Sequence, residues 1–324
     1  MGMSDRELHA SQVQSALVGS AAAQSAVVAS WSRSMRLYGL DPEDGASPDV
    51  LTEAEFRQVR ERLGSLVQTA QASLDRLYSA VGGAGCCVLL ADKDGVPVDR
   101  RGSVADDAVF CKMGLWTGAV WSEERAGTNG IGTALAEQRA LTIHRDQHFF
   151  SRNTALSCTV APIFDHRGRL MAAIDVSSAR SDLTEDFVKL IALAVGEAAR
   201  HVEAENFRLA FPKARIVLAQ SGADPLQERA ANALLAVDDD DLVIGASRSA
   251  RHLLGLTDEA LSRALPAADL LGQRKTARQD YATAERSVIQ RALARTSGNI
   301  SAAAMIMGIS RATLHRKLKK LGFD

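Results

Sequence analysis

The sequence predicts an α+β body, a small α/β unit after it, and an all-α basic end. Three observations lead there. Apolar residues recur at helical steps across 52–81 and again across 183–207. Between these stretches the period shortens to that of strands, with turn signals at Asp94-Gly95 and over 165–168. From Gln273 onward there are 11 Lys/Arg against 3 Asp/Glu, which leaves 27 and 36 for the rest of the chain. A basic end on an acidic body points to a polyanionic partner.

Residues 1–50 read as a small-residue helical lead-in. Over 52–81 the stripe runs through Phe56, Val59, Leu63, Leu66, Val67, Ala70, Leu74 and Leu77, and Gly82, Gly83 and Gly85 stop the helix. Strands are expected at 86–91, 96–98, 141–144, 158–164 and 170–176. The second helix presents Phe187, Leu190, Ile191, Ala194, Val195, Ala198 and Val202 on one face. Together, 51–205 reads as an antiparallel sheet bracketed by long helices. A smaller unit, 206–272, holds strands at 233–237 and 242–244 and a short helix at 250–254. The last segment, 273–324, is helical.

At 324 residues, with 46% apolar and 24% charged residues, the chain has room for two or three cores and no sign of wholesale disorder. No apolar run approaches the ~18 residues of a membrane span. Cys86, Cys87, Cys111 and Cys158 have neither metal-binding nor disulfide-framework spacing, so reduced thiols in a cytoplasmic protein are expected. His144 and His148 stand four apart, a ligand spacing that works on a helix, but His144 ends a strand. No metal, cofactor or catalytic site is expected.

The basic end is the most specific part. Val288, Ile289, Ala292 and Leu293 give a first helix its buried stripe, which Gly298-Asn299 ends. A short small-residue helix over 301–307 follows, then Gly308 for a tight turn, Ile309 for the core and Ser310 as N-cap of the last helix. Leu314, Leu318 and Leu321 face inward. Ser310, Arg311, Thr313, His315, Arg316, Lys317, Lys319 and Lys320 are the expected DNA contacts, the first few toward base edges and the later lysines toward phosphates. The run Ser297-Gly298-Asn299-Ile300-Ser301-Ala302-Ala303-Ala304, then Met307-Gly308-Ile309-Ser310-Arg311-Ala312-Thr313-Leu314 and Arg316-Lys317-Leu318, resembles the Fis-type helix-turn-helix. Met307 and His315 stand where Leu and Tyr are common there. The resemblance implies a homodimer on a palindromic double-stranded site, with recognition helices about 34 Å apart.

A second resemblance covers about 30–180. Ser30-Trp31-Ser32-Arg33-Ser34 and Gly39-Leu40-Asp41-Pro42 are similar to the opening segment of the acetoin catabolism regulator family. So are Trp121-Ser122-Glu123-Glu124-Arg125-Ala126-Gly127-Thr128-Asn129-Gly130-Ile131-Gly132-Thr133-Ala134-Leu135 and His144-Arg145-Asp146-Gln147-His148-Phe149. This implies a GAF domain that senses a small organic effector, with a PAS-like unit after it, although Ser247 stands where Asn is frequent. Trp116, Trp121, Thr128, Asn129, His148 and Phe149 are the candidate ligand-binding residues. The glycines at 127, 130 and 132 fit either an anion-binding loop or a turn into a helix. Without the Lys-Ser/Thr of a Walker loop they are not a nucleotide cradle.

Relatives of this kind usually carry an ATPase domain between sensor and DNA-binding end. Here 208–272 is too short for one, and neither GxxxxGK[ST] nor the Gly-Ala-Phe-Thr-Gly-Ala sigma-factor loop occurs. The expectation is a one-component regulator acting without ATP hydrolysis, with RNA polymerase or an ATPase-bearing relative as a further partner. Two alternatives stay open: an architectural DNA-binding protein with a non-sensing scaffold, and a thiol redox enzyme using Cys86, Cys111 or Cys158.

Overall fold

Two helices begin the chain: α1, Asp5–Ala16, and α2, Ala26–Ser32, which ends in a π-turn over Arg33–Leu37. The computed structural model describes residues 5–17, 25–44, 47–219, 232–263, 265–271 and 277–322. It divides into two units, Met1–Leu265 and Pro266–Asp324.

The apolar stripe over 52–81 does not make one helix. Thr52 and Glu55 form a reciprocal capping box that starts α3, Glu53–Leu63, and Gly64 at φ +47° breaks it from α4, Ser65–Val81. The stripe is continuous across the break because both pieces pack on the same surface. The strands follow as β1, Cys86–Asp92, and β2, Pro97–Arg101, then helices α5, Asp107–Lys112, α6, Glu123–Ala126, and α7, Gly130–Glu137. Then come β3, Leu141–His144, β4, Ser157–Phe164, β5, Leu170–Ser178, and α8, Glu185–Ala210. The sheet is antiparallel in the order β2-β1-β5-β4-β3.

Period-two alternation sends the two halves of each strand to different cores. Val88, Leu90, Ile163, Ile174 and Val176 meet α3, α4 and α8 on one face. Cys87, Leu89, Ala91, Cys158, Val160 and Ala173 meet Phe110 of α5, Leu115, Trp121 and α7 on the other. The long helices therefore share one face rather than bracketing the sheet, and short helices and loops close the opposite side. Strand β1 is buried at every position, which explains its unbroken apolar run.

A three-stranded antiparallel sheet follows, in the order β6, Arg215–Leu218, β7, Leu234–Val237, β8, Val243–Ala246. Helices α9, Arg248–Leu254, and α10, Asp258–Leu261, complete this part, Ser247 capping α9 through Ala250 N–H. The second unit contains α11, Ala267–Leu270, α12, Ala277–Arg295, α13, Ile300–Ile306, and α14, Arg311–Lys320. Among the described residues no helix is long and apolar enough to cross a membrane.

Candidate nucleic-acid interface and sensor interior

The second unit is built around Ile289, Ala292, Ala303, Ala304, Leu314 and Leu318. Ala303 and Ala304 of α13 are fully buried or nearly so, which lets that helix approach its neighbours closely. Gly298 at φ +85° and Gly308 at φ +64° make the turns that L side chains resist. The Asn299 side chain accepts from Ser301 and Ala302 N–H to start α13, and Ser310 Oγ accepts from Thr313 N–H at 3.1 Å to start α14. Ser310 and Thr313 hydroxyls are also 2.8 Å apart.

Of the expected DNA contacts, Ser310, Arg311, His315, Arg316, Lys319 and Lys320 are exposed, while Thr313 is half-buried. Lys317 differs from its expected place. Its ammonium pairs with Glu285 of α12, which holds it half-buried and raises its pKa through that hydrogen bond. Arg286 Nη1 donates to Leu321 O at 2.9 Å, so α12 also ties down the end of α14.

In the first unit, the segment 25–34 packs on the glycine-rich motif. Ser30 Oγ lies 2.7 Å from Thr128 Oγ1 and 3.2 Å from Thr133 Oγ1. Trp31 Nε1 donates to Gln147 O at 2.9 Å. His9 of α1 reaches His148 O at 3.0 Å, and Val13, Trp31, Phe149 and Phe150 share a core. The N-terminal helices are thus stitched to the sheet domain.

Asn129 is fully buried. Its Oδ1 accepts from Gly132 N–H at 2.8 Å, and its Nδ2 donates to Trp121 O and Gly127 O at 3.0 and 2.8 Å. A Cβ on Gly132 would lie 2.5 Å from Trp121 O and Glu123 N, and one on Gly130 would lie 2.5 Å from Cys158 Cβ. The glycines let α7 sit against the sheet and the 121–123 backbone. This is the turn-into-helix geometry, and the Gly132 amide is already taken.

Five of the six candidate ligand residues are placed in this packing. Trp121, Thr128, Asn129, His148 and Phe149 are all at most 1% exposed. Trp121 Nε1 donates to Gly114 O at 2.7 Å. His148 Nδ1 donates to Arg145 O at 3.0 Å, so its Nε2 is left to accept the Cys158 S–H at 3.4 Å. Burial lowers the His148 pKa to about 4, and the ring is neutral. With their polar atoms satisfied inside the protein, these residues present nothing to an open cavity wall. Trp116 is the exception, half-buried with the Arg100 guanidinium 4.3 Å from its ring centre.

Two groups on the same sheet face are not satisfied. Arg100 of β2 and Asp175 of β5 both pair with Leu89, so they stand in one cross-strand row on one face. Asp175 is fully buried; its Oδ2 accepts from Ser177 Oγ at 2.7 Å, and its Oδ1 has no partner. Burial raises its pKa to about 7. Arg100 Nη2 stands 2.8 Å from Asp107 Oδ1 but outside hydrogen-bond angles, and its Nε is buried without a partner. Phe110, 5.8 Å from the guanidinium, also lines a cavity of about 460 Å³ with Gly83, Ser103, Val109 and Arg180. Burial raises the thiol pKa of Cys86, Cys87 and Cys158, and Cys111 is the exposed thiol.

Residues 65–202 match the family described as the GAF domain, and residues 282–321 match the bacterial regulatory protein, Fis family. The chain joins a GAF domain to a Fis-type helix-turn-helix, and it is a homologue of the acetoin catabolism regulators. It is 37% identical over 245 residues to the acetoin catabolism regulatory protein of Cupriavidus necator, covering 76% of this chain and 36% of that protein. It is 29% identical over 151 residues to the acetoin dehydrogenase operon transcriptional activator AcoR of Bacillus subtilis, covering 47% of this chain and 25% of that protein. The chain therefore spans about a third or less of the length of these relatives. The E. coli DhaR(N) chain solved with DhaL shares the fold, with TM-score 0.52 and 16% identity, covering 75% of this chain and 80% of that one.

The sequence reading of the GAF domain missed Arg100 and Asp175. The available signal was chemical: Asp175 is the one acid in the strand Leu-Met-Ala-Ala-Ile-Asp-Val-Ser-Ser, buried on both faces over most of its length. An ionisable side chain in such a strand needs a partner or a reason.

Proposed function

We propose that this chain is a one-component, ligand-responsive transcription regulator of metabolic genes. Its Fis-type module, taken as 273–324, binds a palindromic double-stranded site as a homodimer. Arg311, Thr313, His315 and Arg316 read base edges from the Ser310-capped start of α14, and Lys319 and Lys320 meet phosphates. The observation that carries this reading is the capped, exposed basic helix turning off Gly308 over its own small core.

The effector is a small organic molecule taken up by the GAF domain (51–205) on the sheet face of Arg100, Trp116 and Asp175. Asp175 Oδ1 and Arg100 Nε, buried without hydrogen bonds on either side of an apolar strand, favour a compact ligand with a donor for Asp175 and an acceptor for Arg100, although Arg100 also faces Asp107. The sequence 206–272, taken as PAS-like, joins sensor to reader, and the chain works without ATP hydrolysis, directly or with a longer relative or RNA polymerase. Regulator homologues and shielded strand thiols support a binding protein over a thiol enzyme.

Genome-wide footprinting, repeated with metabolites of the genes beside the occupied sites, tests this. A few sharp palindromic sites whose occupancy one metabolite changes are expected. Broad occupancy indifferent to every metabolite would leave an architectural DNA-binding protein instead.

A further inference from the structure

A cavity of about 590 Å³ lies between the GAF domain and the small three-stranded part, away from the sheet face discussed above. Its lining includes Arg139 from the turn after α7, Arg200 of α8 and Arg248 of α9, with His252 also on its wall. Against these cations stands Glu203 of α8. Its Oε1 is occupied, accepting from Phe164 N–H at 2.8 Å. Ala161, Pro162 and Ala199 give the cavity an apolar floor.

Arg139 and Arg248 lack a close ion pair among the described residues, whereas Arg200 pairs with Glu197. Arg248 forms no ion pair among the described residues; its guanidinium lies 3.5 Å from the Phe164 ring centre, and its Nη1 donates to Gln138 O at 3.4 Å. Burial lowers its pKa, and the Glu203 carboxylate offsets this only in part. Arg139 reaches Glu137 only at 4.0 Å, and the Arg200 partner is Glu197 on its own helix.

Guanidinium groups converging on a concave, partly apolar cavity focus a positive field and offer forked donors to planar or tetrahedral oxyanions. We propose that this cavity binds a small polyanion bearing carboxylate or phosphate groups, held by Arg139, Arg200 and Arg248. Because Arg139 and Arg200 belong to the GAF domain and Arg248 to α9, the occupant fixes the small three-stranded part against the sensor. This site is separate from the effector site, and its failure leaves the effector reading untouched.

The test is calorimetric titration of the full chain with citrate, with pyrophosphate and, as a neutral control, with glycerol. Citrate or pyrophosphate is expected to bind at submillimolar concentration and glycerol not at all. Whichever binds says whether carboxylates or phosphates fit. Arg248→Gln and Arg139→Gln are expected to weaken that binding at least tenfold, and Arg248→Lys less, while Arg57→Gln on the far exposed helix α3 leaves it unchanged. Near-UV circular dichroism like that of the unaltered protein certifies that each variant is folded. Arg139 is half-exposed, which makes its variant the safer one for folding. No binding of either anion would overturn the proposal. So would binding that survives Arg248→Gln and Arg139→Gln but vanishes in Lys319→Gln/Lys320→Gln, which would place the anion on the basic helix.

Discussion

Arg33 and Glu123, 90 residues apart, form a two-point ion pair, with Nε–Oε1 at 2.6 Å and Nη2–Oε2 at 3.0 Å. Arg33 also reaches Glu137 at 2.9 Å, so one guanidinium joins the N-terminal segment to both ends of the α6–α7 motif. The Glu123 side chain is 3% exposed and that of Arg33 30%. Arg33→Met strands the Glu123 charge in the interior. Urea unfolding should show a loss of about 2–4 kcal/mol, below the fully buried range because Arg33 touches solvent. Arg33→Met/Glu123→Gln should recover part of it. An unchanged midpoint for Arg33→Met would mean that 25–34 is not fastened to the GAF domain in solution.

Arg311 and Lys319 sit at opposite ends of α14, and their substitutions should separate two kinds of contact. Arg311→Ala should cost about 1–3 kcal/mol at the specific site and much less on random DNA. Lys319→Ala should weaken both alike and reduce the slope of affinity against salt. Filter binding over a salt series reads both quantities. A uniform loss from Arg311→Ala would move that residue to the phosphates.

Asp175 makes stability depend on pH in a defined direction. Its carboxyl ionises near 3.8 in the unfolded chain and near about 7 when buried. Between those values the folded chain holds the extra proton, so stability falls as pH rises through the window and levels off above it. Asp175→Asn removes this dependence and keeps an acceptor for Ser177. The variant should match the unaltered protein near pH 4 and exceed it by on the order of 4 kcal/mol near pH 8. Comparing the two proteins cancels the parallel contribution of Glu203, raised to about 7 by burial. Parallel stability curves would mean that water or a bound donor satisfies Asp175 in solution.

The strands and the basic end were legible because their signals are local. Asp94-Gly95, the apolar run from Cys86 and the Gly308–Ser310 turn each constrain the backbone within a few residues. The break at Gly64 was hidden because Leu63 and Leu66 continue one stripe across it. The sensor interior was harder to read. Trp121, Asn129 and His148 look like ligand contacts by residue type, but their partners are main-chain atoms of 114, 127 and 145 that folding alone brings near. Arg100 and Asp175 are 75 residues apart in sequence, and only strand order puts both beside Leu89. Lys317 reads as a free cation until α12 supplies Glu285.

Gly132 tests why this motif needs glycine. Its backbone is helical and has no left-handed φ, so the requirement is space rather than conformation. A methyl group there would meet Trp121 O and Glu123 N at 2.5 Å, both main-chain atoms on a segment anchored by Trp121 Nε1 to Gly114 O. Neither can swing aside as a side-chain end would, so α7 and the 121–123 backbone must move apart. Gly132→Ala should lose about 2–4 kcal/mol, the overpacking cost plus the strained Asn129 cap. Because Asn129 bonds both sides of the motif, the loss should appear as lowered protection of the 129–135 amides in hydrogen exchange. The Fis-type unit has its own core, and its amides should stay protected. If Gly132→Ala were as stable as the parent, the close approach of α7 to the 121–123 backbone would be wrong.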